Sequence, residues 1–476
     1  MDVISFLDTP AVYPSSLITY ILCLTPILYL LYIALSERLQ AENAPKGCKR
    51  LGLPPGRSNL ADEFDPKYSH GVPPSQLDET GQPGWRIKAL VAYPIKSCSG
   101  IEFDVANVVP TGLEYDRQFC FAEFVTPKNV RPEASEEEKA PRWEFKTMRD
   151  GRFSRLALVK PEIWVPDPMA PSYDPDLEEV KSKGVLVIKY PRVAKGIWSL
   201  PLKLGMALGL CAREASFCVP LHPPPDQLDK YPCLPVKLWK DFPISYDYAI
   251  HIPQSLRDFL SPDPSSPPLT LFRVNPAHHR QIFRCAPRKS ELGFQPVTGF
   301  ADAYPLHMLN MASVRDVARR CADAIPRLSV RRFRANIIIQ GPEAYAEDSW
   351  KRIRVGGRRH QLQLQNGKAG SVLPDEKQRQ GDEEGIEIHT VCRTVRCRLP
   401  NVDPDTGIRH PSEPDKTLKS FRRIDAGDPT NACLGMQLVP AVERFTLRVG
   451  DPISVLETGE HFYIKMLAPG EQMAQS

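Results

Sequence analysis

The fold class is decided by a stretch that begins with Trp-Arg-Ile-Lys-Ala-Leu-Val at residues 85–91. Structured sequence begins here, and the stretch opens a series of short runs with β-like composition that are separated by turn residues. Short strands at this spacing predict a barrel or a sandwich, in a chain that is mainly β with some α. The runs cover 87–91, 105–109, 119–124, 156–159 and 185–190.

A second unit begins near Phe294, where the pattern changes. Residues 312–321 have helical spacing, and the later apolar runs read as strands. The polar stretch 357–385 has no periodicity and is predicted to be an inserted loop. The predicted strands of this unit are 337–339, 445–449 and 453–456. The predicted domains are a first β-rich unit at 85–285, a second at 290–460 and a tail at 461–476.

Composition bounds the class of protein. With 476 residues and 42% hydrophobic content, the chain can bury two ordinary cores. Its 49 prolines favour long connections and β architecture over a helical bundle. A scattered net charge of +4 is too weak for a nucleic-acid-binding protein, so no nucleic acid is expected as a partner. The 12 cysteines form no compact framework, which argues for a reducing compartment rather than a disulfide scaffold.

The N-terminus carries an uncharged, mostly apolar run at 17–35 that is long enough to cross a bilayer as a helix. Basic residues follow it from Arg38 onward and none precedes it, so the positive-inside bias places the rest of the chain in the cytosol. We predict a short tail at 1–16, a single-pass membrane anchor at 17–35 and a flexible linker at 36–84. A buried segment of the globular fold is the alternative for 17–35.

Cys397 is the residue with the most distinctive chemistry. It lies between Arg396 and Arg398, and the tight-turn sequence Asp403-Pro404-Asp405-Thr406-Gly407 follows it. Flanking guanidinium groups favour the thiolate, which is a nucleophile or a soft-metal ligand. The alternative is a cysteine that only packs in the core.

Five short motifs and a closing segment occur in an order that resembles the MOSC-domain family. The N-terminal apolar run adds a resemblance to the membrane-anchored, amidoxime-reducing members of that family. The resemblance covers 85–456 apart from the polar inserts. The motifs are Tyr93-Pro94-Ile95-Lys96-Ser97-Cys98, Asp116-Arg117, Arg332-Phe333-Arg334-Ala335-Asn336, Ala346-Glu347-Asp348-Ser349-Trp350 and Arg396-Cys397, and the closing segment is Val449-Gly450-Asp451-Pro452.

The resemblance implies an N-terminal β-barrel domain at 85–285 and a β-rich MOSC domain at 290–460, with a molybdenum cofactor (Mo-molybdopterin) held between them. Cys397 would then be the catalytic residue that binds the metal, since a soft thiolate suits molybdenum. Arginine suits the cofactor's phosphate because its planar fork binds bidentately. The positions that correspond to the family's cofactor-binding pattern are Lys96, Ser97, Arg117, Ala303, Tyr304, Arg334, Asn336 and Arg396. Relatives commonly have small hydroxyl residues where Ala303 and Tyr304 stand, which leaves main-chain contacts or the phenol.

The implied activity is the reduction of N-hydroxylated small molecules such as amidoximes and hydroxylamines. No flavin or nicotinamide fingerprint is visible, so electrons would come from outside. The family's donors are a small b-type cytochrome and an NADH-dependent cytochrome reductase. The implied location is the outer mitochondrial membrane, with the endoplasmic reticulum as the alternative. The alternative function is a cofactor carrier or a sulfur-transfer module without reductase turnover.

Overall fold

The computed structural model describes residues 24–33, 35, 45–127, 139–194, 196–261, 263, 265–356 and 385–465. Within these ranges the chain is mainly β with some helices, as predicted. The strands are β1 (Cys48–Arg50), β2 (Arg86–Ala92), β3 (Ile101–Phe103), β4 (Val105–Val109), β5 (Gly112–Leu113), β6 (Phe119–Val125), β7 (Arg142–Phe145), β8 (Lys160–Pro166), β9 (Val185–Pro191), β10 (Glu214–Pro220), β11 (Cys233–Lys237), β12 (Ile244–Asp247), β13 (Leu269–Val274), β14 (Arg280–Gln281), β15 (Val297–Thr298), β16 (Leu306–Asn310), β17 (Ile337–Gln340), β18 (Trp350–Val355), β19 (Ile386–Val395), β20 (Cys433–Pro440), β21 (Phe445–Arg448) and β22 (Ile453–Thr458).

The helices are short and connect or cover the sheets. The longest that the structure describes after residue 45 begins after Asn310, whose side chain accepts a hydrogen bond from the backbone N–H of Ala312 at 3.2 Å and so caps it. This helix confirms the helical spacing predicted at 312–321. The α-helices are 24–33, Glu178–Lys181, Ser199–Ala207, Gln254–Leu260, Lys289–Leu292, Met311–Arg320 and Asp415–Phe421. The 3-10 helices are Pro66–Ser69, Gly151–Leu158, Gly196–Trp198, Pro225–Lys230, Ala249–His251, Pro276–His278, Val330–Phe333, Ala346–Ser349 and Leu399–Asn401.

A closed barrel decides between the two predicted β architectures. Its strand order is β11-β12-β13-β6-β7, and a parallel pairing of Val236 with Trp143 closes the ring. Closure removes unpaired strand edges from the five-stranded sheet. Apolar side chains on the inward positions, among them Ala122 and Phe272, fill the interior. Beside it, β1-β8-β9-β10 form a separate antiparallel sheet.

The second unit is built on an eight-stranded sheet with the order β22-β18-β19-β20-β16-β17-β2-β3. Only β16 and β17 within it run parallel, with Met308 opposite Ile337. The structure differs here from the predicted boundary between 85–285 and 290–460, because β2 and β3 belong to the sheet of the second unit. Strand partners are chosen by long-range pairing, which the local pattern of β2 does not encode.

Residues 156–159 were assigned to a strand by their composition, and this prediction is wrong. They lie in and just after the 3-10 helix Gly151–Leu158. Its period of three residues per turn places Phe153 and Leu156 on one side, where both are buried in the largest core cluster. A short apolar run is therefore compatible with a strand or with a 3-10 helix. Tertiary packing selects the 3-10 helix here.

The structure also differs from the predicted flexible linker at 36–84, for the part from residue 45 onward. β1 pairs with β8, and Leu60 and Tyr68 are buried in a cluster with the helix Met311–Arg320. Glu63 is only 4% exposed and accepts hydrogen bonds from Ser329 Oγ at 2.8 Å and from the backbone N–H of Val330 at 2.7 Å. A polar, Pro-rich stretch is therefore held by a few specific contacts with the second unit.

The predicted anchor at 17–35 lies only partly within the described residues, of which 24–33 are helical. Across the described ranges, no helix has the length and apolarity needed to cross a membrane. The predicted tail at 1–16, residues 357–384 of the predicted insert and residues 466–476 of the predicted C-terminal tail lie outside the described residues.

Glu63→Ala should destabilise the protein, because it leaves the Val330 N–H and the Ser329 hydroxyl buried without their acceptor. We expect a loss of about 1–3 kcal/mol in the free energy of unfolding, measured by denaturant titration. Glu79→Ala, at an exposed position of the same segment, is the matched control. Equal stability of the two variants would mean that 45–84 is a tether after all.

Candidate functional site

All nine predicted site residues line one cavity between the barrel and the eight-stranded sheet. They lie in chain segments just outside strand ends, where backbone groups are not used in hydrogen bonds between strands. Strand β17 is antiparallel to β2 and parallel to β16. The end of β2 and the starts of β16 and β17 are therefore neighbours. Lys96 and Ser97 follow β2, Arg117 precedes β6, Ala303 and Tyr304 precede β16, Arg334 and Asn336 precede β17, and Arg396 and Cys397 follow β19.

Three of the nine residues have left-handed backbone conformations that non-glycine residues seldom adopt. The φ angles are 69° at Ser97, 48° at Arg117 and 57° at Arg334. Such conformations cost on the order of 1 kcal/mol each and persist where surrounding contacts impose them. Their concentration around one cavity indicates that the backbone is shaped for a purpose other than stability.

Arg334 has a guanidinium group that is not fully hydrogen-bonded. Its Cζ lies 4.2 Å from the ring centroid of Tyr93, and the Cζ of Arg117 lies 5.0 Å from the same centroid. Among the described residues, Nη2 of Arg334 is buried without a hydrogen-bond partner. Burial lowers the pKa of Arg334 to about 10, although the Tyr93 phenol opposes that shift. A buried donor of this kind is costly until an acceptor reaches it.

Arg117 is held in place by its neighbours. Nη1 donates to Asp116 Oδ2 at 2.5 Å and to Asn336 Oδ1 at 3.2 Å, and Nη2 donates to the carbonyl oxygen of Arg334 at 3.0 Å. Asp116 is 2% exposed and also accepts from the backbone N–H of Tyr93 at 2.7 Å. The buried carboxylate thus neutralises Arg117 and orients it toward the cavity.

Lys96 has one donor left for the cavity. Nζ donates to the carbonyl oxygen of Phe300 at 2.9 Å and to Asp302 Oδ1 at 2.5 Å, and an ammonium group has three donors. Burial lowers the pKa of Lys96, while the Asp302 carboxylate opposes that shift. Burial would raise the pKa of Asp302, but the ammonium group outweighs this and lowers it. Asp302 therefore opposes loss of the proton from the buried amine.

Arg396 differs from Arg334, because each of its three guanidinium nitrogens has an internal hydrogen-bond partner. Nε donates to the carbonyl oxygen of Leu434 at 2.9 Å, Nη1 to that of Phe333 at 3.2 Å, and Nη2 lies 3.0 Å from Nε2 of His307. Burial, followed by the charge of Arg396, lowers the pKa of His307 well below its usual value. His307 is therefore neutral and accepts from Arg396. We assign Arg396 a positioning role beside the cavity.

Cys397 is exposed to the cavity, not sealed in the core. It follows β19 and precedes the 3-10 helix Leu399–Asn401. Among the residues that the structure describes, no group of three or more His, Cys, Asp or Glu side chains could hold a metal ion. A metal at this cavity would therefore take one sulfur from Cys397 and its remaining ligands from a cofactor.

Tyr304 contributes main chain to the cavity, not its phenol. Its hydroxyl accepts a hydrogen bond from the backbone N–H of Cys285 at 3.3 Å, and only 3% of the residue is exposed. Cys392 packs in the same apolar cluster and is fully buried. Of the two options that the sequence left for Ala303 and Tyr304, main-chain contact fits this arrangement.

Several cavity residues were missed by sequence reasoning. Thr394 lines the same cavity, and its buried hydroxyl has no hydrogen-bond partner in the part of the chain that the structure describes. Arg149 stacks on Trp239 with 4.3 Å between its Cζ and the ring centroid, and both come from the barrel side. No motif contains these residues; only Thr394, three positions before Cys397, could have been found by proximity.

The donor set fits a molybdenum cofactor. The cavity has an exposed thiol, a buried guanidinium with a spare donor, a buried ammonium with a spare donor and an unpartnered hydroxyl. A thiol suits a soft metal, and the cationic donors suit the phosphate and the pterin acceptors. These groups would otherwise remain as unpaired buried polarity, so an anionic ligand would stabilise them.

Asp302→Asn should make Lys96 lose its proton at lower pH, because the carboxylate no longer opposes the effect of burial. We expect the pH at which the Lys96 amine becomes reactive to acetic anhydride to fall by about one unit or more. Mass spectrometry of the Lys96 peptide across a pH series measures this. Asp229→Asn, at an exposed position, is the control. Unchanged Lys96 reactivity in Asp302→Asn would contradict the pairing.

Comparison with known proteins agrees with this geometry. Residues 295–454 match the family model of the MOSC domain, and residues 84–133 match that of the MOSC N-terminal beta barrel domain. Mitochondrial amidoxime-reducing component 1 of Mus musculus is 32% identical over 163 residues, which is 33% of this chain and 38% of that protein. The Homo sapiens protein of the same name is 29% identical over 160 residues, with the same shares.

A third relative has a related name. Mitochondrial amidoxime reducing component 2 of Rattus norvegicus is 30% identical over 159 residues, which is 32% of this chain and 37% of that protein. The chain thus spans less than two fifths of the length of each of these relatives. The family predicted from the motif order is confirmed: this chain carries a MOSC domain, preceded by a MOSC N-terminal β-barrel domain.

Proposed function

We propose that this protein is a molybdenum-cofactor oxidoreductase that reduces N-hydroxylated small molecules with electrons from an external donor. The observation that carries the proposal is the exposed thiol of Cys397 in the same cavity as the unpartnered Nη2 of Arg334. A thiol alone is weak support, since most cysteines only pack. The coincidence of a soft ligand with unsatisfied cationic donors favours an anionic metal cofactor. The names of the relatives point to the same chemistry.

The residues divide the work of holding the cofactor. Cys397 would bind the metal. Lys96 and Arg334 would donate to the phosphate or to pterin acceptors, and Arg117 would present its charge nearby. Ser97 and the main chain at Ala303 and Tyr304 would line the pterin. When bound, the cofactor would supply the two-electron redox chemistry needed to reduce an N–O bond, while the protein fixes geometry and charge.

The chain's own groups also determine the protonation state of the site. His307 is neutral and its Nε2 already accepts from Arg396, so it adds neither a charge nor a free acceptor to the cavity. Asp302 lies beside Lys96, where burial would raise the pKa of its carboxyl but the ammonium group lowers it. This carboxylate therefore positions Lys96 and is a poor proton donor.

The partners and location follow from the same proposal. The electron donors would be a small b-type cytochrome and an NADH-dependent cytochrome reductase. Segment 17–35 would anchor the protein in a membrane, with the folded part in the cytosol. The relatives are named mitochondrial, which favours the outer mitochondrial membrane over the endoplasmic reticulum. Shared anchoring would raise the encounter rate between donor and acceptor.

The test is a molybdenum-to-protein ratio on purified protein, followed by reduction of benzamidoxime by a chemically reduced sample. A ratio near one with turnover supports the oxidoreductase. Bound molybdenum without turnover would assign the chain to the alternative, a cofactor carrier or sulfur-transfer module. Absence of the metal after expression in a host that makes the cofactor would sink both.

Cys397→Ala should abolish molybdenum binding and benzamidoxime reduction while leaving the fold intact. The side chain is exposed, so its loss should change the free energy of unfolding by only about 0.5 kcal/mol. Metal analysis and denaturant titration measure the two effects. The control is Cys233→Ala, another exposed cysteine. Retained metal in Cys397→Ala would contradict the assignment of this ligand.

Arg334→Gln should lower the molybdenum content of the purified protein about tenfold or more, because a charge-assisted hydrogen bond to the cofactor is lost. Arg334→Lys keeps the charge but not the fork, and we expect an intermediate content. Arg444→Gln removes an exposed guanidinium elsewhere and should leave the content unchanged. Full loading of Arg334→Gln would mean that this residue is only structural.

A further inference from the structure

The connection between β9 and β10 is far longer than the sheet needs. The two strands pair with Pro191 opposite Glu214, so residues 192–213 lie outside the ladder. Hairpin connections usually have about 2–5 residues. This one contains the helix Ser199–Ala207. Ordering a helix within a strand connection costs conformational entropy and does not extend the sheet. This cost indicates that the helix has a separate role.

One face of this connection is an exposed ridge of leucines. The leucine ridge consists of Leu200, Leu204, Leu208 and Leu210, which are 77%, 55%, 64% and 52% exposed. The first three are spaced by four residues and therefore follow one face of the helix and its C-terminal turn. A contiguous exposed patch of large apolar side chains is rare on a soluble surface. Such a patch is typical of an interaction site.

The opposite face of the same helix packs on the N-terminal helix 24–33. Leu30 lies so close to Gly205 that a Cβ there would stand 2.5 Å from Leu30 Cδ2. Ile33 is buried against Leu202. Close approach over a glycine is typical of helix packing in membranes. There the hydrophobic effect does not drive helices together, and small residues allow close van der Waals packing.

The N-terminal helix extends the apolar surface. Most of its side chains are exposed around the contact face, and none of the residues from 24 to 35 is charged. The predicted anchor at 17–35 includes this helix, so the leucine ridge lies directly beside the segment proposed to enter a membrane. The exposed side chains are Leu24, Ile27, Leu28, Leu31, Tyr32 and Leu35, at 51–70% exposure.

The connection that carries the leucine ridge is basic in its sequence. Residues 192–213 contain four Lys and Arg and no Asp or Glu. Lys203 on the helix and Arg213 at its far side are exposed. Basic side chains that flank an apolar helix bind anionic lipid headgroups, at about 1 kcal/mol per residue near the surface. A protein partner with an acidic groove would be a different class of ligand, and the N-terminal helix beside the ridge favours lipid.

We propose that residues 198–210 form a second membrane contact, in which the leucine ridge enters one leaflet of a membrane containing anionic lipid, beside the N-terminal helix. This inference rests on the membrane attachment proposed above. The nine-residue helix is about 13 Å long, compared with about 30 Å for the hydrocarbon core. It therefore lies within one leaflet and does not cross. Two contacts fix the orientation of the barrel relative to the membrane, whereas a single anchor would leave it free to rotate.

The test uses the full-length protein in vesicles of phosphatidylcholine and phosphatidylserine that contain a diazirine phospholipid. After irradiation, mass spectrometry maps the residues that carry lipid label. We expect label on 198–210 as well as on 17–35, and weaker label on 198–210 with phosphatidylcholine alone. In the double variant Leu200→Ser, Leu204→Ser, the label on 198–210 should fall about tenfold or more, while the label on 17–35 stays.

The control changes exposed apolar residues elsewhere, Leu228→Ser and Phe283→Ser, which are 50% and 69% exposed. These should leave both labels unchanged. Label on 17–35 alone would overturn the second contact and keep the anchor. Absence of label on both segments would remove the membrane attachment and this inference with it. Cross-links between two copies through the leucine ridge, without lipid label, would assign it to self-association and overturn the proposal.

Discussion

The geometry of the cavity depends on the buried amide of Asn336. Its Oδ1 accepts from Arg117 Nη1 and from the backbone N–H of His307, both at 3.2 Å, and its Nδ2 donates to the carbonyl oxygen of Val91 at 3.1 Å. One side chain that is 1% exposed thus ties β2, β16 and the segment before β6 together. An apolar residue in its place would remove a hydrogen bond from Arg117, from the backbone N–H of His307 and from the carbonyl oxygen of Val91, all in a region of low dielectric.

The electrostatics of the cavity follow from this frame. Lys96, Arg117, Arg334 and Arg396 are brought together, although burial of each cation is unfavourable. Asp116 balances Arg117, and each guanidinium nitrogen of Arg396 has an internal partner. Lys96 and Arg334 line the cavity and each keep a donor without an acceptor among the described residues, and burial lowers the pKa of both. The cavity therefore has buried cationic donors that lack acceptors. An anionic cofactor would be bound there because it supplies those acceptors.

Much of the site could be predicted because its residues lie in contiguous motifs beside strand ends, and Arg396-Cys397 and Lys96-Ser97 are two examples. Asp302, His307 and Thr394 escaped prediction because their role arises from contacts across strands, such as the 3.0 Å contact between His307 and Arg396. Fold class was also predictable from the spacing of short apolar runs. The placement of β2 in the second sheet was not, since strand pairing depends on distant partners.

The cavity exists only where the barrel meets the eight-stranded sheet. Trp239 and Arg149 come from the barrel side, whereas Arg334 and Cys397 come from the sheet. Lys96 joins the two, because its backbone N–H donates to the carbonyl oxygen of Phe119 at the start of a barrel strand. Neither unit alone would carry the site, so binding free energy from a cofactor would also stabilise the docking of the two units. The strained backbone at Arg117 and Arg334 is therefore best understood as a cost that the bound ligand offsets.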